Sequence, residues 1–478
     1  MDDSLHAGAG RRTINPPLGI GKIGGRLFGD PIQSIESDLT TTVIVLRGAG
    51  AKVAILALDL CTVEKRHADT MRSDVAAAIG VPRTHVLLNE SHDHSAPALP
   101  GYYADWYDND FKNEYLGTLR GRVVEAAVEA DATLRPARIG CGWGESAIGV
   151  YRREVREGSW VLGEVPDHPV DPSVGVIRID DLDGTPIAVA FRYSAHPVTV
   201  GGRSAVASAD FPGAARDVLE RSLGGLALFL QGCGGNVNPR VGIGYEVDCR
   251  DTKNRVGLEL GGEALKVAAR IRTNTHAGQR RPLGNIPDIL FTPWEPVAGI
   301  EAVAVAAAET VVQLDYVDLP QLGEAEAILR RWHAAVEAGR AGRTGEWELR
   351  VAVKMEAWAQ RLLAAVRAGG ATFDLTLQAI RIGEIVVAGM NVETFFETGL
   401  EIRNRSPLPD TFVLGYTNGS MAYLPRAEDQ PEGGWQLGER YALPDWIPQF
   451  YPGQVTALHP DSERRALEGT LALIRTLT

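Results

Sequence analysis

Apolar positions along this chain follow two alternating rhythms. Residues 52–60 (KVAILALDL), 85–91 (HVLLNES), 186–194 (PIAVAFRYS), 226–231 (LALFLQ) and 384–390 (EIVVAGM) are short, nearly continuous apolar runs. Such runs, rich in β-branched residues, predict strands buried on both faces. Residues 373–382 (FDLTLQAIRI) alternate polar and apolar instead, which predicts a strand with one face in water. Between these runs the period changes to that of a helix over 63–79, 112–130, 212–222, 253–271, 393–404 and 461–477. Leu116, Leu119, Val123, Val124 and Ala127 mark one such stripe, and Gly80 and Pro82 stop the first helix. Residues 322–340 and 345–368 predict a helical hairpin joined by a glycine-rich turn, and the Pro- and Gly-rich stretch 275–300 a long loop. The sum is an α/β (mixed α+β) fold, a layered mixed sheet with flanking helices. The only candidate boundary is 275–300, and strands beyond it complete the same candidate site, so one domain over 1–478 is expected.

Charge narrows the function. The formal net charge is −13 with no long basic run, which argues against nucleic-acid binding and against attraction to an anionic membrane. No apolar stretch reaches the ~18 residues of a membrane span. The opening MDDSLHAGAGRRTINPP has no apolar signal-peptide core. Cys61, Cys141, Cys233 and Cys249 are scattered without a CxxC pair, as free thiols in a reducing compartment would be. A cytoplasmic protein with a small-molecule substrate is expected, and a homo-oligomer is compatible with the sequence.

Candidate chemistry sits where apolar runs end. In LLNESHDHSAPA (87–98), a buried strand gives way to His92 and His94, two of only 10 histidines. If the backbone stays extended, both rings project to one face, an arrangement suited to neutral imidazoles sharing a cation. The alternative is a pair of exposed loop histidines. A second strand ends at His196, followed by Pro197, which stops a ladder; a turn histidine is the plainer alternative. A carboxylate to complete the set is offered by Glu393, between a strand and a helix, with Glu397 one helical turn on as a competitor. The turn QGCGGNVNP (231–239) permits close approach of a ligand to backbone N–H groups, or is simply a tight turn. No Lys-Ser/Thr follows it, which excludes a Walker loop. Asp210 is read first as the cap of its helix.

Taken in order, these segments resemble the catalytic domain of the neutral/alkaline, non-lysosomal ceramidase family. AGAGRRTINPP (7–17) looks like its opening strand, and ESHDHSAP is similar to its first histidine motif. SAHPVTVGG matches the second histidine motif, and FLQGCGGNVNPR the glycine-rich active-site turn. VAGMNVETFFETGLEIR and GYTNGSMAYLPRAEDQPEGGW resemble its late Glu and Tyr segments. The resemblance implies Zn²⁺ bound by His92, His196, Glu393 and Tyr423, with His94 beside the metal as a proton shuttle. It places a substrate-contacting arginine at Arg152, with Arg153 close behind.

The departures shape the expectation. Asn236 and Asn238 stand where the family carries an Asp and a Ser implicated in amide hydrolysis. Asparagine supplies neither nucleophile nor base, but its amide suits an oxyanion hole. The C-terminal immunoglobulin-like domain of longer members is not expected within 1–478. A chain this acidic, without a membrane device, is poorly suited to extracting ceramide. The expected activity is therefore a metal-dependent hydrolysis, by a metal-activated water, of an amide or related acyl bond in a soluble substrate. Fe²⁺ or Mn²⁺ in place of zinc would suit a lyase, isomerase or oxygenase. A binding protein that has lost catalysis is the third reading.

Overall fold

The computed structural model describes residues 3–23, 31–100, 109–156, 159–201, 204–240, 250–420, 422–432 and 454–478. Its largest sheet contains β1 (His6–Thr13), β2 (Thr40–Arg47), β3 (Lys52–Leu58), β4 (Val86–Glu90), β5 (Arg135–Glu145), β6 (Ser173–Asp181), β7 (Pro186–Tyr193) and β8 (Leu226–Gln231). The strand order is β8-β7-β6-β5-β1-β2-β3-β4. The β3/β4 and β7/β8 pairs are parallel and the others antiparallel. β1 and β5 pair only at His6↔Pro136 and Ala7↔Arg135. The sheet folds over at that short seam, and its two edge strands meet. There Asn89 on β4 accepts the Gln231 backbone N–H at 2.7 Å and donates to the Gly415 carbonyl at 2.9 Å.

A second sheet, in sequence order, holds β9 (Val305–Asp315), β10 (Thr372–Ile382), β11 (Ile385–Met390) and β12 (Asp410–Leu414), with only β11/β12 parallel. The two sheets pack face to face. Ile44, Ile55, Leu87, Ile177 and Leu228 of the first meet Ile380, Ile382, Val387 and Phe412 of the second. Helices cover the outer faces. Met71 and Val75 of α1 (Lys65–Ile79) and Leu119 and Val123 of α2 (Asn109–Ala132) pack on Val43, Val45, Leu56 and Leu88. Phe211 and Leu219 of α3 (Asp210–Leu223) and Leu260 of α4 (Arg250–Arg270) pack on Val189, Phe191 and Phe229. The α/β layered fold expected from the sequence is the fold observed.

The helical hairpin forms where expected, as α5 (Leu322–Arg340) and α6 (Glu346–Arg367). Two other expectations are corrected. The alternating strand β10 is buried on both faces. Leu375 and Leu377 are covered by Leu471 and Ile474 of a C-terminal helix (Ser462–Arg475), while Ile380 and Ile382 face the first sheet. Its polar Gln378 is tolerated because it donates to the Thr84 carbonyl at 2.7 Å and accepts from Asn418 at 2.7 Å. Residues 275–300 are not a plain loop. They hold two short ribbons, Thr275–Ala277 with Trp294–Pro296 and Arg281–Leu283 with Ile286–Phe291. Prolines and a glycine are compatible with two-stranded pieces, whose edges need no inner ladder.

Several strands carry no clear apolar rhythm, β5 above all. Its glycines serve contact with α4 instead. A Cβ on Gly144 would lie 2.6 Å from Val267 Cγ2, and one on Gly140 2.7 Å from Ile271 Cγ2.

Candidate metal site

Three elements end at one point. β4 stops at Glu90, and His92 turns the chain with φ of 60°. The strand therefore does not run on through SHDHS, as extended pairing of the two histidines would require. β7 ends at Tyr193, and His196 follows within the next turn. Past β11, residues Glu393–Thr394 form a short strand parallel to Tyr423–Leu424, with Glu393 beside Tyr423.

The resulting geometry is tight. His92 Nε2 lies 3.4 Å and His196 Nε2 3.3 Å from the same oxygen, Glu393 Oε2. One ligand atom from each of the three residues falls within 4.8 Å of the others, and all three side chains are buried. The opposite ring nitrogens are committed. His92 Nδ1 donates to the Cys61 carbonyl at 2.9 Å, and His196 Nδ1 to the Gly234 carbonyl at 2.8 Å. A carbonyl can only accept, so each ring carries its proton on Nδ1 and turns a bare Nε2 lone pair inward. His196 Nε2 and Glu393 Oε1 have no hydrogen-bond partner in the protein.

Two bare nitrogen lone pairs and a carboxylate converging on one buried point suit a divalent cation. Burial pushes His92 and His196 well below the usual histidine range, helped by neighbouring positive groups. Burial pushes Glu393 up to about 8 although Arg152 pulls it down. An unmetallated cluster would thus be neutral, and a cation would draw the proton from the acid. Cys61, His92 and His94 form an overlapping candidate set. It fits worse, because the His92 nitrogen nearest Cys61, Nδ1, is already spent on the Cys61 carbonyl.

The surroundings assign the remaining residues. His94 is partly exposed, with its ring 4.8 Å from His92 and 5.6 Å from His196. Its Nε2 has no protein partner. Arg152, on the strand Gly149–Arg156, donates to the Gly235 carbonyl at 2.7 Å, Tyr423 Oη at 3.1 Å and Asn238 Oδ1 at 3.2 Å. Arg153 is buried near the Phe395 ring. Tyr423 lies beside Glu393, and burial above all holds its phenol protonated.

Asn238 keeps a buried, unpartnered Nδ2, so a donor remains on this wall. Asn236 differs from the oxyanion-hole expectation. Its Nδ2 donates to Glu397 Oε2 at 2.8 Å and its oxygen accepts the Phe396 N–H at 3.1 Å, which pins the start of α7 (Phe396–Arg405). Glu397 is thereby drawn toward Asn236 and Arg426, not into the cluster. Burial pushes the Cys233 thiol up to about 12, which makes it a poor nucleophile.

Asp210 opens α3 at φ of 49°. Its carboxylate accepts from Thr199 Oγ1, the Val200 N–H and the Phe211 N–H, tying the loop behind His196 to the helix. Sequence reasoning missed Asn89 and Tyr416. The Tyr416 ring lies 4.3 Å from His92, and its hydroxyl is 3.4 Å from Glu393 Oε2. The polar Asn89 inside an apolar run was the available signal for the first, and the turn sequence GYTNG for the second.

Fold and site define a layered α/β protein with a buried His/His/Glu chelating cluster. No family model matches the chain. In sequence it is distantly similar to two proteins of Dictyostelium discoideum. Neutral ceramidase B is 24% identical over 211 residues, 40% of this chain and 29% of that protein. Neutral ceramidase A is 27% identical over 188 residues, 35% of this chain and 25% of that protein. These matches span between a quarter and a third of the curated relatives' length. In structure, the neutral ceramidase of Pseudomonas aeruginosa superimposes with a TM-score of 0.67 at 16% identity, covering 100% of this chain and 75% of that one. A ceramidase complexed with C2 gives 0.66 at 15% identity with the same coverage. The chain shares the fold of these ceramidases and is distantly related to the family in sequence.

Proposed function

We propose that this protein is a metal-dependent hydrolase that cleaves an amide or related acyl bond in a soluble substrate. The observation that carries the proposal is the convergence of His92 Nε2, His196 Nε2 and Glu393 on one buried point, with both Nδ1 atoms already bonded to carbonyls. The distant ceramidase relationship supports hydrolysis of an N-acyl linkage as the reaction class. A divalent ion held by these three side chains, with Tyr423 alongside, would supply Lewis acidity and bring the pKa of a bound water toward ~7.

The protein's own groups do the remaining work. His94 stands beside the two histidines with an unpartnered Nε2 and takes the proton of the attacking water, later returning it to the leaving amine. Burial and the charges of Arg152 and Lys22 push its pKa down to about 3, so it starts neutral, and it would hold the proton only as negative charge develops beside it. Arg152 sets positive charge, and Asn238 an N–H donor, where oxyanion charge develops. Asn236 and Asp210 act at a distance by fixing the segments that carry Glu393 and His196.

Zinc is the metal this donor set suits first, with Fe²⁺ and Mn²⁺ as alternatives. The acidic net charge favours a soluble substrate over a lipid. Among the described residues no helix is long and apolar enough to cross a membrane. Elemental analysis of the purified chain should find stoichiometric metal, lost in the His92→Ala/His196→Ala double variant. A panel of N-acyl compounds and esters should yield a turnover that chelator abolishes. Absence of metal, or metal unchanged in the double variant, would overturn the proposal. A redox-active metal with oxygen-dependent turnover would move the protein to the oxygenase class.

A further inference from the structure

We infer that the ribbon at 281–294 is an association arm through which two copies of this chain pack. Thirteen large apolar residues are exposed among the described residues, and six of them fall within twelve positions. They are Leu283, Ile286, Ile289, Leu290, Phe291 and Trp294, and Leu290 and Trp294 are more than half exposed. Scattered apolar residues are ordinary on a surface, whereas a contiguous set marks a contact.

The set lies on Arg281–Leu283 and Ile286–Phe291, antiparallel strands in which every residue is exposed. Alternation puts Ile289 and Phe291 on one face and Ile286 and Leu290 on the other. A two-stranded ribbon alone is marginal in water, and this one has apolar side chains on both faces. Its base is anchored, however. Thr275–Ala277 pairs with Trp294–Pro296, the Arg272 guanidinium lies 3.9 Å from the Trp294 ring centroid, and Arg138 donates to the Val297 and Gly299 carbonyls at 3.1 Å. A fixed base with an uncovered apolar tip is a geometry built for a partner.

That partner is a second copy. Six side chains about half exposed present on the order of 500 Å² of apolar area per chain, on the scale of ~150–250 Å² for a large ring. That area is divided between the two faces of the ribbon, so packing that engages both faces, with a polar rim, would approach the ~800 Å² per partner of a stable interface. The charges are self-complementary, since Arg280 and Arg281 share the arm with Asp288 and Glu295. Pro282 and Pro287 remove ladder donors, which checks open-ended strand addition and leaves side-chain packing about a two-fold axis. A lipid surface fits less well. The unpaired ribbon edges would be costly in hydrocarbon, and a net charge of −13 is repelled by anionic headgroups.

Sedimentation velocity on the full chain tests the inference, with an Ile289→Asp/Phe291→Asp variant as partner experiment. Both substitutions are on exposed residues, and circular dichroism with metal content verifies folding. The wild type should form a concentration-dependent dimer of twice 51.4 kDa, and the variant should dissociate at least tenfold more readily. Identical sedimentation of the two folded proteins would overturn the inference. So would a monomeric wild type that floats with phosphatidylcholine vesicles while the variant does not, which would assign the arm to a membrane surface.

Discussion

At the residue scale, the site is governed by which nitrogen of each histidine is already bonded. His92 and His196 give their Nδ1 protons to main-chain carbonyls, so both turn Nε2 toward Glu393. His94 Nε2 is likewise without a protein partner but lies outside the His92/His196/Glu393 set, which is why the proposed function makes it a proton carrier. His94→Ala should therefore keep its metal while kcat falls by ~10²–10⁴, the usual contribution of a positioned acid–base group. Metal analysis and steady-state kinetics on the same preparation check this. A variant that loses metal would instead place His94 among the ligands. His92, His196 and Glu393 were legible in the sequence because each follows an apolar run. Glu397 could not be set aside that way; its bonds with Asn236 and Arg426 do so.

At the element scale, strand ends are held by buried polar pairs. Arg192 on β7 bonds Asp171 at 2.7 Å and Ser194 at 2.6 Å just before His196. Burial alone would push the Asp171 carboxyl up, but Arg192, Arg403 and Ser173 together bring it below its ordinary value of 3.8. A depressed carboxylate stabilises the fold above its unfolded pKa, and that stability is lost as pH falls through the folded value. Asp171→Asn should thus cost about 3–5 kcal/mol near pH 7, by leaving buried positive charge unpaired. The deficit should shrink as pH falls below about 4, where the unfolded acid protonates first and the folded acid only further down. Urea titrations at several pH values would measure it, and a deficit unchanged with pH would rule out this account. The alternating pattern of β10 shows why such elements are hard to read singly. Gln378 looks like a solvent-facing position until Thr84 and Asn418 are brought to it.

At the scale of the whole molecule, the contact between the two sheets keeps the histidine-bearing layer and the glutamate-bearing layer in register. Phe412 sits in that contact, stacked on Trp143 with ring centroids 4.7 Å apart. Phe412→Ala should cost about 3–5 kcal/mol, the usual loss for a buried ring. Because β11 and β12 run side by side from Ile385↔Asp410 to Gly389↔Leu414, it should also weaken metal retention. Chemical denaturation and a chelator-competition assay read the two effects. An unchanged metal affinity would separate sheet packing from the site.

The sequence by itself determined the layered α/β class, the helical hairpin and the three side chains at strand ends. Those properties live in local periodicity and in residue chemistry, which the order of amino acids carries directly. Only the tertiary structure decided that the ends meet, that Asn236 bonds to α7 and that both faces of β10 are covered. The reason is that these depend on pairings between distant segments, such as β4 with β8 through Asn89 and Glu393 with Tyr423. Closing long loops to make them is favourable only when the whole core forms together, and no short stretch of sequence records that cooperation.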